Sequence, residues 1–324
     1  MDGRTGATAP HVAVTLASGL SLVSILTLLF FIHAVGRSIV TETMVGRLAA
    51  ELDAHMGDLP PLAEGANGTG TADEGALLPE DFGARARTVP LALEGYVPSV
   101  DYPAIAEAAR AAGVLVQFGL PAGAFLIHGA HHVRVYPEER ASPELVQAIT
   151  AAVMVGSLRT PVQDIEFSIR HLVEIAVRAL SPAINDPFTA AAVIDRLGVA
   201  FSRLLGRSLG EGVHRDSGGV PRVFTVVPTH DEVLDIALRQ IRHAARNTPA
   251  IIVQLLEMLA EVAAFARTDA ARAALARQAD IAAAAGCHGP IEPSDRALIE
   301  AAHAATREAL ARCGSAVDVP SPAV

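Results

Sequence analysis

From Val12 to Ile32 the chain carries no ionisable side chain, only the run VAVTLASGLSLVSILTLLFFI. At about 1.5 Å per residue such a helix is about 31 Å long, the thickness of a bilayer hydrocarbon core, so the pattern predicts a transmembrane helix. A secretory signal would show about 7–15 apolar residues closed by a small-residue cleavage site; here a longer run leads into Phe-Ile-His-Ala-Val-Gly-Arg. Thr15, Ser18, Ser21, Ser24 and Thr27 recur at every third position, which winds them around the helix. Two accounts of them stand: hydroxyls bonding back to their own helix, and small side chains permitting close helix–helix approach.

After the span the period changes. Val45, Leu48, Leu52 and Met56 keep a 3/4 spacing, which predicts a juxtamembrane amphipathic helix over 36–56. Over 57–92 the composition turns to Gly, Ala, Pro, Asp and Glu, the signature of a flexible linker. Between 93 and 140 short runs alternate: GYVPSV, VLVQFG, AFLIHG and HVRVY read as strands. A short helix capped by Asp101, with Ile105 on its buried side, sits among them. Helical periodicity dominates 141–313, where Ser142 caps one helix and Thr229-x-x-Glu232 forms a capping box. Pro249, Thr268 and Ser294 open three more. A disordered tail, 314–324, closes the chain. The fold expected is mainly α: one transmembrane helix with its short N-terminal tail in 1–35, a small α+β unit, then a helical domain.

Composition narrows the function classes. Apolar residues make up 51% and charged residues 19%, which excludes a disordered chain. With 25 basic against 35 acidic residues the net charge is −10, and aromatics are 4%. Neither bulk attraction to nucleic acid nor base stacking is expected, so nucleic acid is not a partner. Lysine is absent, a coding bias without mechanism. Two cysteines, Cys287 and Cys313, make no disulfide framework and fit a reducing compartment. Together with Arg37 and Arg47 after the span, they place the C-terminal bulk on the cytoplasmic side of the bacterial inner membrane.

The densest chemistry lies in GSLRTPVQDIEFSIRHLVEIAVRALSPAINDPFTA, residues 156–190. Val162, Ile165, Ile169, Leu172, Val173, Ala176 and Leu180 form one apolar stripe, and Glu166, Arg170, Glu174 and Arg178 a ladder of i,i+4 charges. Ser181-Pro182 ends that helix; Asp186 caps the next, with Pro187 in its first turn and Phe188 on the buried side. Helix capping accounts for Asp186 and Pro187 in full. Arg159, Gln163, Asp164, Arg178, Ser181, Asn185, Asp186 and Thr189 crowd this stretch as a candidate polar cluster: a structural network, a ligand pocket or an oligomer contact. Elsewhere the chemistry is thin. His128, His131 and His132 lie near each other without a carboxylate or thiol at ligand spacing, and Cys287-His288 lacks an orienting partner. No catalytic residue, metal or cofactor is assigned.

The same stretch resembles a bacterial predicted-membrane-protein family filed as domain of unknown function 2254. The hallmark of that family is similar to Arg159-Thr160-x-x-Gln163-Asp164 followed by Arg178-Ala179-Leu180-Ser181-Pro182-x-Ile184-Asn185-Asp186-Pro187-Phe188-Thr189-Ala190. The span and its exit resemble the family's last transmembrane helix, with Ala34 where a second His is usual; GYVPSVDYPAI and PAGAFLIHG resemble its β segment. The resemblance implies further transmembrane helices before this one in relatives, and hence a fragment, a mis-assigned start or a shortened paralogue here. It implies a class and a location, not a reaction.

Three readings follow. The first is a non-catalytic assembly or sensing protein, in contact with the bilayer and with its own copies or other membrane helices. The second is a ligand- or ion-responsive channel or transporter component. The third is a carboxylate-dependent hydrolase.

Overall fold

The computed structural model describes residues 11–62, 77–130, 132–160, 164–289 and 291–315. The N-terminal tail, the middle of the expected linker, His131, Val162, Gln163 and the end of the C-terminal tail lie outside the described residues. The chain divides into two compact units, Met1–Arg47 and Leu48–Val324.

The first unit holds most of helix α1, which runs from His11 to Asp58. Within it Ala13–Ile32 is long and apolar enough to cross a membrane, and its large side chains are exposed along the whole stretch. The Thr27 hydroxyl donates to the Val23 carbonyl at 2.8 Å, the back-bonding expected of a hydroxyl with no water to satisfy it.

The second unit is mostly helical around a small sheet. Its first residues, the end of α1, bury Leu52 and Met56 completely. Asp53 pairs with Arg203 at 3.1 Å, and Arg207 donates to the Leu59 carbonyl at 2.8 Å. Then come α2 (Phe82–Arg85), β1 (Arg87–Val89), β2 (Gly95–Tyr96), α3 (Tyr102–Ala112), β3 (Leu115–Phe118), β4 (Phe125–Leu126) and β5 (Val133–Tyr136). A 3₁₀ turn leads to α4 (Pro143–Ala151), α5 (Ile165–Ala179), α6 (Pro187–Leu204), β6 (Val213–Arg215) and β7 (Pro221–Thr225). The chain ends in α7 (His230–Ala244), α8 (Pro249–Val262), α9 (Asp269–Gly286) and α10 (Pro293–Ser315).

The main sheet has the order β1-β5-β3-β7-β6, with β3 and β7 parallel and the other neighbours antiparallel; β2 and β4 pair separately. Two features depart from the expected layout. The linker pattern does not hold through residue 92: Phe82, Val89 and Leu91 are buried, and β1 closes one edge of the sheet. Three apolar side chains in a Gly- and Pro-rich stretch are enough to hold it down once a sheet edge is offered. The sheet also draws β7 and β6 from the middle of the helical stretch. Val223 and Phe224 are fully buried, so β7 is covered on both faces between β3 and β6.

The expected caps form. Asp101, Ser142 and Thr268 each accept a backbone N–H at a helix start, and Thr229 with Glu232 completes a capping box on α7. The apolar core of the β region joins α3 and α4 to the inner face of the sheet through Ile105, Val116, Phe118, Val135 and Ile149. On the helical side α8 packs against α6, α9 and α10, while α5 lies against α6 and α7.

Candidate functional site

Helix α5 is the axis of the hallmark, and its two ends do different things. At its N-terminus Asp164 is the N-cap, its Oδ1 accepting from the Glu166 amide at 3.1 Å. The same carboxylate is held by Arg159: Nη2 donates to Oδ1 at 2.9 Å and Nε pairs with Oδ2. The Asp164 side chain is 2% exposed, so this is a buried charge with a fork-shaped partner. Arg159 also reaches Glu166 at 3.5 Å, and Glu166 pairs with Arg170 at 3.0 Å. Burial pulls the Arg159 guanidinium down, but Asp164 and Glu166 outweigh it and its pKa sits above the ordinary arginine value.

Over this pair lies the turn Pro121–Ala124, tied back by the Gly123 amide donating to the Val97 carbonyl at 2.8 Å. Gly123 has φ +82°, and a Cβ there would overlap the Asp164 carboxylate and stand 2.8 Å from Arg159 Nε. Glycine is required for both reasons. The β segment and the first half of the hallmark, which resemble the family separately, therefore meet face to face. The Thr160 hydroxyl beside them is buried with no hydrogen-bond partner among the described residues.

At the far end, a helix length of about 22 Å away, the remaining hallmark residues form a compact junction. The Ser181 hydroxyl donates to the Arg178 carbonyl at 2.7 Å. The Asn185 and Asp186 amides donate back to Ser181 and Ala179, both at 2.8 Å, with Asn185 at φ +47°. Asn tolerates that left-handed geometry better than most side chains. Asp186 accepts from the Thr189 amide at 3.1 Å and the Thr189 hydroxyl at 2.6 Å, so both oxygens are committed to the cap of α6. Arg178 points outward, 67% exposed, and pairs with Glu174 at 2.6 Å.

The eight candidate residues thus do not form one cluster. Arg159 and Asp164 come together at one end; Arg178, Ser181, Asn185, Asp186 and Thr189 line up at the other; Gln163 lies outside the described residues. Arg178 and Asp186 are not a buried pair. Phe188 is 86% exposed, not on the buried side of α6: α6 buries Ala190, Val193, Ile194 and Leu197, and the first turn turns Phe188 outward. The expected stripe on α5 is present in Ile169, Leu172, Val173 and Ala176, and the charge ladder in Glu166–Arg170 and Glu174–Arg178.

Beside the Arg159–Asp164 pair is a cavity of about 270 Å³ whose walls include Asp164, Glu166, Tyr102, His214 and Thr225. The Tyr102 and His214 rings stack at 4.2 Å, and Thr225 Oγ1 lies 3.4 Å from His214 Nε2. Burial pushes the Tyr102 hydroxyl up to about 12 and holds the His214 imidazole below its ordinary value. The hallmark pattern pointed to none of these three; His214 and Thr225 reach the cavity only because β6 and β7 join β3. A depressed histidine favours folding only while neutral. Stability is therefore full above about pH 6.5 and is lost as pH falls through that value toward the lower native pKa. His214→Phe, which keeps the stacked ring, is expected to flatten this part of the profile between about pH 7.5 and about pH 5.5 in urea unfolding. An unchanged slope would assign the titration elsewhere.

Among the described residues no group of three or more His, Cys, Asp or Glu is placed to hold an ion. Cys287 follows α9, half-buried, with its amide donating to the Ala283 carbonyl at 3.0 Å.

An uncharacterized protein of Mycobacterium bovis is 32% identical over 98% of the chain, and so are uncharacterized proteins from two strains of Mycobacterium tuberculosis. The chain spans 60% of the length of these relatives. No solved structure matches it. A family model described as "Predicted membrane protein (DUF2254)" matches residues 1–261, which include the apolar helix, the sheet and both ends of the hallmark. The chain belongs to that family of predicted membrane proteins.

Proposed function

We propose that the chain is a membrane-anchored, non-catalytic assembly or sensing protein of the bacterial inner membrane, with the unit 48–324 in the cytoplasm. The observation that carries this reading is the division of labour within the hallmark. Its two aspartates are engaged internally, Asp164 on Arg159 and the α5 cap, Asp186 on the α6 cap, while Phe188 is presented to solvent at 86% exposure. Phe188 is the apolar side chain that a second copy or a neighbouring membrane helix would cover.

Hydrolysis by a pair of hallmark carboxylates gains no support, because the whole of α5 separates Asp164 from Asp186. Cytoplasmic placement rests on Arg37 and Arg47 after the span and on two thiols without a disulfide. A C-terminal fluorescent-protein fusion that stays dark would contradict it.

The test of assembly is native mass of the full chain in mild detergent. Wild type is expected to run as an oligomer and Phe188→Ser as a smaller species with the same thermal midpoint, since an exposed side chain contributes little to the fold of one chain. A strictly monomeric wild type, or a variant that assembles as well, would remove the contact role. The second reading, a ligand-responsive channel or transporter component, draws its support from a basic cleft walled by α5, α7 and α9.

A further inference from the structure

Helices α5, α7 and α9 enclose a cleft of about 650 Å³, the size that suits a small organic ligand. Its polar wall is cationic: Arg239, Arg242, His243 and Arg246 come from α7 and the turn after it, and His288 from the end of α9. Arg242 is the informative member. Its residue is 9% exposed, its Nη1 donates to Gln278 Oε1 at 3.1 Å, and its nearest carboxylate, Asp235, stands 4.0 Å away. Asp235 is engaged more closely by Arg239 and also accepts from Gln278 Nε2 at 3.5 Å. Arg239 and Arg242 therefore share one carboxylate, while Arg246 adds a third guanidinium at the rim of the cleft. Arg277, on the neighbouring face of α9, is balanced by Asp231 at 3.0 Å; Glu292 and Asp295 belong to an adjoining cavity that shares Arg246 and His288.

A buried guanidinium is expensive unless its charge is met. Here burial and the fields of Arg239, Arg277 and Arg246 push the Arg242 pKa down against the opposing field of Asp235. The missing complement is a multiply charged anion. Carboxylates carry one charge; a phosphate monoester carries close to two at neutral pH and presents the oxygens that a guanidinium fork fits. The other wall is apolar, with Val177 from α5 and Ile281 from α9, so the anion has room for a hydrocarbon body.

We propose that this cleft binds an organic phosphate, its charged group held by Arg242, Arg239 and Arg246 and its apolar body lying against Val177 and Ile281. The site is separate from the hallmark, and it stands whether or not the chain assembles through Phe188. Two sources share this chemistry: a soluble phosphate ester and a phospholipid headgroup.

The probe is n-hexyl phosphate, titrated calorimetrically into the full chain in a neutral detergent. Hexanol serves as the uncharged control, inorganic phosphate as the group alone, and dihexanoyl-phosphatidic acid, itself a phosphate monoester, as the lipid form. Hexyl phosphate is expected to bind and raise the thermal midpoint, hexanol to do neither, and Arg242→Gln to weaken binding by about tenfold or more. Arg246→Gln, altered at the exposed rim, provides the same test if the Arg242 variant fails to fold. Tighter binding of the phosphatidic acid assigns the lipid source; tighter binding of hexyl phosphate assigns a soluble one. No binding of any phosphate, or equal binding by wild type and a folded arginine variant, overturns the proposal.

Discussion

Replacing Gly123 by Ala is expected to destabilise the folded domain by about 3–5 kcal/mol, a large effect for one methyl group. Two costs combine. Gly123 sits at φ +82°, where an L side chain is strained by about 1–3 kcal/mol. The added Cβ also falls on the Asp164 carboxylate, which cannot swing aside without leaving Arg159 and the Glu166 amide. Breaking a buried ion pair in that way costs about 3–5 kcal/mol by itself, and partial relaxation of the turn offsets some of the total. Denaturant midpoints of the full chain in detergent measure the difference; a loss under about 1 kcal/mol would show that the turn yields freely.

Asp164→Ala is the complementary change. It removes a carboxylate that is 2% exposed, deletes the N-cap of α5 and leaves Arg159 without its principal partner. Because Arg159 keeps 23% of its side chain in solvent, the expected cost is at the lower end for a buried pair, about 3 kcal/mol. Asp186→Asn provides the contrast. Asn remains a good cap and Asp186 has no arginine to abandon, so the cost is under about 1 kcal/mol. Two aspartates of one hallmark thus have unequal weights, set by what lies over them.

How far the sequence reveals this depends on the range of each interaction. Local ones were legible. Ser181-Pro182 and Asp186-Pro187 mark the break between α5 and α6 through steric and capping rules that act within a few residues, and the structure places the break there. The apolar stripe of Ile169, Leu172, Val173 and Ala176 follows from helical period alone. Interactions between distant segments were not legible. Val223 and Phe224 form a central strand only because β3, about a hundred residues earlier, offers a parallel partner, and a five-residue run beside Gly218-Gly219 gives no sign of that pairing. The hallmark shows Arg159 and Asp164 in sequence, but not that Gly123 closes over them. Phe188 illustrates the converse error. A first-turn aromatic beside a buried face is expected inward, yet the helix phase set by Ala190, Val193 and Ile194 turns it outward.

The central claim is that the first half of the hallmark is a joint between α5 and the sheet, locked because Gly123 has no side chain over Asp164. A double-mutant cycle tests it most directly, comparing Gly123→Ala in wild type with Gly123→Ala in the Asp164→Ala background. If the joint is as described, the second substitution meets no carboxylate, Arg159 without its partner is free to give way, and the cost falls to the backbone strain, about 1–3 kcal/mol, leaving a coupling of about 2 kcal/mol between the positions. Equal costs in both backgrounds would mean that Gly123 and Asp164 act independently, and the joint would not exist.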